Sequence, residues 1–159
     1  CSSRRRGISN ARLLAEGGRL DMVLREFLAD VPGACRQGGR AVAHHLEFDA
    51  GIIMNELERC GLHDLQCEWA GAGREGTCTM DPEMLRWIRE CHGQETFGKH
   101  LRLNLKDMVR AMVPDSEHLL SSHHTAGADA QMHRLLYLAM HTLIMKAPTS
   151  TRDCALATF

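Results

Sequence analysis

Two short segments of the sequence carry acidic and histidine side chains whose spacing suits chemistry. In residues 42–49, a small apolar run leads into two histidines and ends at Asp49; in residues 124–130, His124 and Asp129 lie five positions apart. Two carboxylates brought together would repel each other unless cations neutralised them, and oxygen ligands at a hydrated site suit Mg²⁺ or Mn²⁺. A histidine beside such a pair can accept a proton from a metal-polarised water, because its pKa lies near neutrality. The two segments therefore predict a divalent-cation site, provided that the fold brings them together.

The elements around these segments are predicted to place them at one edge of a sheet. Residues 40–44 are small and mostly apolar, as expected of a strand buried on both faces. A helix is predicted over residues 48–59 and is stopped by Gly61, and a long helix is predicted from about residue 125 to about residue 145. Side chains at strand ends and helix starts project into the crevice at the edge of an α/β sheet, where ligands usually bind.

The rest of the chain reads as alternating helices and short strands. Helices are predicted over residues 11–16 (capped by Ser9), from residue 20 to about Pro32, from residues 81–83 to about 91, and over residues 105–113. A second strand is predicted within either residues 65–69 or residues 77–80, with residues 71–73 as a turn between them. This alternation indicates an α/β layer fold.

The composition is that of an ordinary globular chain without a strong electrostatic field. The 159 residues suffice for one domain, and the 44% apolar and 25% charged fractions argue against a disordered chain. Nineteen basic and twenty acidic residues give a net charge of −1, so the composition does not indicate a nucleic-acid partner. It does not exclude one either, because an enzyme that binds only the end of a strand needs few phosphate contacts. The longest apolar run, residues 135–140, is far shorter than the roughly 20 residues that span a bilayer. We therefore expect no membrane association.

Seven cysteines, at positions 1, 35, 60, 67, 78, 91 and 154, form no Cys-x-x-Cys pair, and their odd number leaves at least one unpaired. In a chain long enough to build a core without disulfides, this predicts reduced thiols and an intracellular location. The spacing of Cys60, His63, Cys67 and Cys78 would also allow a zinc site. The alternative is a helix end, a turn and a buried strand in which cysteine acts as a small apolar residue. The alternative is favoured because the second half of the pattern lacks a paired spacing of its own.

The two segments resemble the second and third motifs of the DEDDh 3′–5′ exonucleases, a ribonuclease-H-like family of proofreading subunits and RNA-trimming enzymes. The second motif reads V-A-H-N-x-x-F-D, and residues 42–49 match it except that His45 stands where the family has Asn. The third motif reads H-x-A-x-x-D-A, and residues 124–130 match every fixed position. Residues 6–8 resemble the family's H-G-I segment, and residues 78–79 resemble its C-T at the end of the next strand. The resemblance extends from residue 7 to about residue 145.

The resemblance implies a fold, a reaction and a substrate. The fold would be an α/β ribonuclease-H-like exonuclease fold, incomplete at its N-terminus, with few strands packed against several helices. Asp49 and Asp129 would each help to hold one of two Mg²⁺ or Mn²⁺ ions, and His124 would be the general base for the attacking water. The substrate would be the 3′ end of single-stranded DNA or RNA, which the sequence does not distinguish. Its predicted contacts are His44, His45 and Phe48.

The family's first motif, D-x-E, is not found before Asp49 in this chain. Two later D-x-E strings begin at Asp81 and Asp115, but both follow the second motif. The first reads as a helix start, and its proline would not donate in a central strand; the second reads as a loop. The chain therefore supplies two of the four implied acids. We expect a processed form or fragment whose missing segment lies upstream or comes from an attached or partner domain.

These considerations divide the chain into a basic stub (residues 1–6), a partial exonuclease-like domain (residues 7–146) and a C-terminal tail (residues 147–159). Two functions remain open at this point. One is a metal-dependent 3′–5′ exonuclease represented here in an incomplete or weakly active form. The other is a non-catalytic relative that binds nucleic acid or protein as a scaffold module. A D-x-E motif in coding sequence upstream of Cys1 would favour the enzyme.

Overall fold

Helices dominate the computed structural model, which describes residues 9–74, 76–92, 104–122 and 125–146. Within these ranges the elements are α1 (Asn10–Glu16), α2 (Leu20–Arg36), β1 (Val42–Ala43), α3 (Leu46–Arg59), α4 (His63–Arg74), β2 (Thr77–Cys78), α5 (Pro82–His92), α6 (Leu105–Met112), α7 (Glu117–Ser121) and α8 (Ala126–Lys146). No helix in this described part of the chain is long and apolar enough to cross a membrane.

The prediction of an α/β ribonuclease-H-like fold is wrong. The described residues contain only two strands, each two residues long, among predominantly helical structure. One of the two alternatives for the second strand, residues 65–69, lies inside α4, and so does the predicted turn at 71–73. The reason is the periodicity of burial: Leu62, Leu65 and Trp69 turn inward at intervals of three or four residues, whereas Cys67 and Glu68 are exposed. That spacing is helical.

The chain divides into two compact units, of which the first comprises the described residues up to Arg40 together with Ala50–Arg74. In this unit α2 packs against α4. The ring centroids of Phe27 and Trp69 lie 5.7 Å apart, and the indole Nε1 of Trp69 donates a hydrogen bond of 3.2 Å to the carbonyl oxygen of Ala50. The apolar core of this unit consists of Leu24, Leu28, Leu57, Leu62 and Trp69.

The second unit comprises Ala41–Asp49 and the described residues from Gly76 onward. Helix α8 is its central element, because it contacts α6, α7 and β1. Four of its side chains repeat every four residues and are almost completely buried: Met132, Leu136, Met140 and Ile144. They form one cluster with Met84, Leu85, Trp87, Ile88, Met108, Val109, Met112, Leu119 and Leu120. This core supports the element that carries Asp129.

Helix starts follow the predicted caps. The Ser9 hydroxyl accepts a hydrogen bond of 3.1 Å from the backbone N–H of Arg12, which confirms the cap of α1. The Asp81 carboxylate accepts hydrogen bonds of 2.9 and 3.0 Å from the backbone N–H groups of Glu83 and Met84, at the start of α5. The predicted helix start at 81–83 is therefore confirmed, and Asp81 is used as a cap.

Helix α2 does not end near Pro32 as predicted but continues to Arg36. Proline removes one backbone donor, whereas Val31 and Cys35 extend the half-buried face of the helix by another turn. The helix ends where Gly38 adopts a φ of 80°. There the N–H of Gly38 donates to the carbonyl of Cys35 and the N–H of Gly39 donates to that of Ala34, as in a Schellman motif.

Helix α3 ends at Arg59 and is stopped by Gly61, as predicted, because that glycine has a φ of 69°. Alanine in this left-handed region is strained, so we expect Gly61→Ala to lower the free energy of unfolding by about 1–2 kcal/mol. Gly51 lies inside the same helix, and a Cβ there meets no atom within 4 Å. Gly51→Ala is the matched control and should raise the free energy of unfolding by about 0.5–1 kcal/mol. Urea denaturation of the two variants measures both signs.

Candidate functional site

The site is built at the carboxyl ends of the two short strands. Strands β1 and β2 pair in parallel, with Val42 opposite Thr77 and Ala43 opposite Cys78. The backbone N–H of Thr79 donates a hydrogen bond of 2.9 Å to the carbonyl of Ala43, which extends the pairing by one residue. His44 follows β1 directly, and its Nδ1 lies 3.0 Å from the hydroxyl oxygen of the fully buried Thr79. The first histidine of the site is thus anchored to the neighbouring strand.

A second histidine, His133 of α8, lies against the first. The rings of His44 and His133 are stacked, with their centroids 6.4 Å apart and an interplanar angle of 18°. Burial lowers the pKa of the half-buried His133 below its ordinary value, and the negative charges of Asp49 and Asp129 oppose that shift. Both predicted acids therefore act on the same imidazole. Of the two segments, residues 42–49 contact His133 directly, through the ring of His44.

Each acid lies in the first turn of a helix. Helix α3 begins at Leu46, and the N–H of Asp49 donates a hydrogen bond of 3.1 Å to the carbonyl of His45. Asp49 is therefore inside the helix and is not its N-cap. Asp129 occupies the first turn of α8, where its N–H donates a hydrogen bond of 2.9 Å to the carbonyl of Thr125. The partial positive charge at a helix N-terminus favours a carboxylate in both positions.

The remaining predicted site residues have different surroundings. His45 and Phe48 are exposed and contact each other edge to face, with their ring centroids 5.8 Å apart. Phe48 is 61% exposed, which leaves it open to a ligand. His44 instead contacts Thr79 and His133. The predicted base, His124, lies outside the described residues.

Other predicted regions also lie outside the described residues: the stub at residues 1–6, the H-G-I-like residues 6–8 and the tail at residues 147–159. The internal D-x-E strings have local structural explanations. Asp81 caps α5, as described above, and Asp115 lies between α6 and α7 with a φ of 55°, which places it in a turn. Neither string forms part of a strand.

The acids that act on His133 offer few ligands for the predicted cation. Within the described part of the chain, no three His, Cys, Asp or Glu side chains are grouped closely enough to hold a metal ion. Two carboxylates are nevertheless a sufficient protein contribution for Mg²⁺, which keeps several waters and is often held by one or two carboxylates together with substrate phosphates. Asp49 and Asp129 supply the ligand type of such an open site, and with the other described His, Cys and Glu side chains they form no group of three.

The zinc alternative finds no support in the described residues. Cys60 follows the end of α3, whereas His63 and Cys67 lie in α4, and no metal-binding group includes them. The cysteine side chains that the structure describes, Cys35, Cys60, Cys67 and Cys78, are free thiols. Cys78 makes a weak contact of 3.8 Å to the carbonyl of His44, at the strand ends.

His133 is not among the site residues predicted from the sequence, although its spacing from Asp129 pointed to it. It lies four residues after Asp129 on a helix, and residues at this spacing share one helical face. It is not one of the fixed positions of either motif. Its contact with the ring of His44 depends on the packing of α8 against β1, which the sequence does not show.

The lowered pKa of His133 predicts a pH-dependent stability. As the pH falls through the ordinary histidine pKa of 6.5, the unfolded chain binds a proton that the folded chain still excludes. The free energy of unfolding should therefore fall between about pH 7.5 and about pH 5.5. His133→Gln should flatten this dependence, as measured by urea denaturation across the range. His63→Gln, at an exposed position of α4, is the matched control and should leave the slope unchanged. Equal slopes for the parent and His133→Gln would contradict the assignment.

Comparisons with protein-family models, with curated proteins and with solved structures return no match to this chain. The roles that the exonuclease-like motifs imply for Asp49, His124 and Asp129 therefore stay predictions.

Proposed function

We propose that this chain carries part of a metal-dependent 3′–5′ exonuclease site, with Asp49 and Asp129 as two of its acids. One observation supports the proposal above all. The two aspartates are 80 positions apart in the sequence, and both act on the imidazole of His133. The proposal does not depend on a ribonuclease-H-like fold. It depends on the two motifs and on the electrostatic effect that both aspartates have on His133.

In this proposal the residues of the chain have separate tasks. Asp49 and Asp129 hold Mg²⁺ or Mn²⁺, which supplies positive charge to the phosphoryl oxygens of the substrate. His124 accepts a proton from the attacking water, a role that comes from the motif resemblance alone. His45 and Phe48 form an exposed aromatic pair beside Asp49, suited to contact with the terminal nucleotide of a single strand.

The chain as given supplies two of the four acids that the resemblance implies. We further infer an intracellular setting, because the odd number of cysteines and the free thiols of the described ones suit a reducing compartment. The substrate is single-stranded DNA or RNA.

The proposal is tested by measuring whether the protein binds the 3′ end of a single-stranded oligonucleotide more tightly when a divalent cation is present. Fluorescence anisotropy would follow 5′-labelled single-stranded DNA and RNA oligonucleotides as protein is added, with Mn²⁺ or with a chelator. We expect Mn²⁺-dependent binding that favours a free 3′ hydroxyl over a 3′ phosphate. Asp49→Asn and Asp129→Asn should each remove the Mn²⁺ dependence. Asp30→Asn removes the same charge from an exposed position of α2 and serves as the matched control.

A second candidate is a non-catalytic binding module, favoured by the lack of a three-ligand group among the described residues. This candidate predicts that oligonucleotide binding is the same with Mn²⁺ and with chelator, or that no oligonucleotide binds. Either result would contradict the proposed exonuclease site.

A further inference from the structure

Helix α2 carries an exposed apolar stripe beside the one that packs in the first unit. Leu24 and Leu28 are buried in the core of that unit. Leu20, Val23 and Phe27 of the same helix are exposed, the last two with 47% of their surface accessible. At about 100° per residue, these three side chains lie within about 60° of one another around the helix, and we call them the α2 stripe. A contiguous apolar stripe, unlike single scattered residues, indicates an interaction surface.

One border of the α2 stripe is charged, with opposite signs at its two ends. Arg19 and Glu26 are seven residues apart, which is about two helical turns, and both lie on the side of the stripe that faces away from Leu24. Both residues are exposed. The guanidinium of Arg19 donates hydrogen bonds to Asp21 through Nε and Nη2. Because a guanidinium group has five N–H donors, Arg19 can also donate to a further carboxylate.

This order of charges suits a second copy of the same chain. When two antiparallel helices are related by a two-fold axis, the same border of each helix lies side by side, running in opposite directions. Positions 20 and 27 are three and four residues from position 23. With the axis at Val23, Leu20 of one copy therefore lies beside Phe27 of the other. Arg19 of one copy likewise lies beside Glu26 of the other, and this pairing occurs twice in each dimer.

We propose that the α2 stripe is an interface between two copies of this chain, formed by antiparallel α2 helices around a two-fold axis at Val23. Two observations support the second copy as the occupant. The apolar stripe is centred on Val23, and the opposite charges of Arg19 and Glu26 are placed nearly symmetrically about the same residue. The proposal concerns the first unit and is independent of the predicted cation site.

Sedimentation-velocity centrifugation of the full chain, over a range of protein concentrations, tests this interface. The parent should be a reversible dimer. Val23→Arg brings two guanidinium groups together at the axis and should weaken the dimer at least about 30-fold, the effect expected at an energetically dominant interface position. Met22→Arg is the matched control, because it adds the same charge at the neighbouring exposed apolar position, which lies about 100° away from Val23 around the helix. It should dimerise like the parent.

Charge reversal tests the antiparallel arrangement. Arg19→Glu and Glu26→Arg should each weaken the dimer by about 3–30-fold, because each variant loses two exposed ion pairs of ordinary strength. The double variant again places opposite charges beside each other and should regain most of the affinity. That recovery also separates loss of the interface from loss of folding, because two damaging changes to the monomer would not compensate each other in this way.

Three results would overturn the proposal. The first is a parent that stays monomeric at every concentration, which would leave the α2 stripe to a partner of another kind. The second is a dimer that Val23→Arg leaves intact, or that Met22→Arg weakens equally. The third is a double charge variant that dimerises no better than either single variant. None of these results bears on the proposed exonuclease site.

Discussion

Leu136→Ala is expected to lower the free energy of unfolding by about 2–5 kcal/mol, the range for removing a fully buried leucine from a packed core. Leu136 is 0% exposed and lies at the centre of the α8 face that packs in the second unit. Its replacement removes apolar burial and leaves a cavity that the neighbouring side chains fill only partly. Chemical denaturation followed by far-UV circular dichroism measures the change.

Leu138→Ala is the matched control for this substitution. Leu138 lies in the same helix but is 44% exposed, and the change in helix propensity is the same at both positions. We expect a loss of less than about 1 kcal/mol there, as is usual for exposed positions. Equal losses for the two variants would contradict the described burial of α8.

The second large effect concerns catalytic rate. The 159-residue chain is expected to shorten 3′ ends at least about 100-fold more slowly than an exonuclease with all four acids, because a metal misplaced by about 1 Å already costs that much. Two carboxylates offer less charge and a looser geometry than four. The assay follows 5′-labelled single-stranded DNA and RNA with Mg²⁺, Mn²⁺ or chelator. Where an upstream segment supplies D-x-E, Mg²⁺-dependent release of mononucleotides should appear, and His124→Ala should abolish most of it.

Fast, chelator-sensitive shortening by the short chain, lost in Asp49→Ala, would contradict this expectation. It would mean that an internal D-x-E string supplies the missing acids. The structure argues against this for Asp81, whose carboxylate already accepts two backbone hydrogen bonds at the start of α5. Asp81→Asn, which retains an oxygen for the cap, would identify such a role by a loss of rate without loss of folding.

Local features of the fold were predictable because they depend on neighbours in the sequence. Three of these features join residues within a few positions of one another: the caps at Ser9 and Asp81 and the helix stop at Gly61. The long helix α8 is likewise built from hydrogen bonds between residues one turn apart. Such signals act through backbone hydrogen bonds and φ preferences that do not require the rest of the chain. The sequence therefore predicts these helix ends to within a few residues of their positions in the structure.

The fold class was not predictable in the same way. Short apolar runs suit both buried strands and buried helix turns, and only packing decides between them. Residues 65–69 form a helical turn because Trp69 is buried in the first unit, with its indole N–H bonded to Ala50. The resemblance to a known family led to an expectation of more strands than the two short ones found in the described residues.

The candidate site shows the same division. Motif spacing indicates Asp49 and Asp129, and the negative charges of both oppose the lowering of the pKa of one imidazole, that of His133. His133 could not be assigned from the motifs, because its link to His44 arises from the packing of α8 against β1. The role of His44 as a substrate contact stays a prediction; in the structure its ring stacks on that of His133 and its Nδ1 lies 3.0 Å from the Thr79 hydroxyl oxygen.

The most direct test of the shared cation site is the effect of Mn²⁺ on the NMR signals of the histidine rings. Mn²⁺ is paramagnetic and broadens signals from nuclei close to it. We predict that the imidazole signals of His44 and His133 broaden together at low Mn²⁺ concentration, and that Asp49→Asn and Asp129→Asn each prevent this. Broadening of neither ring, or broadening that persists in both variants, would contradict a cation site formed by the two aspartates.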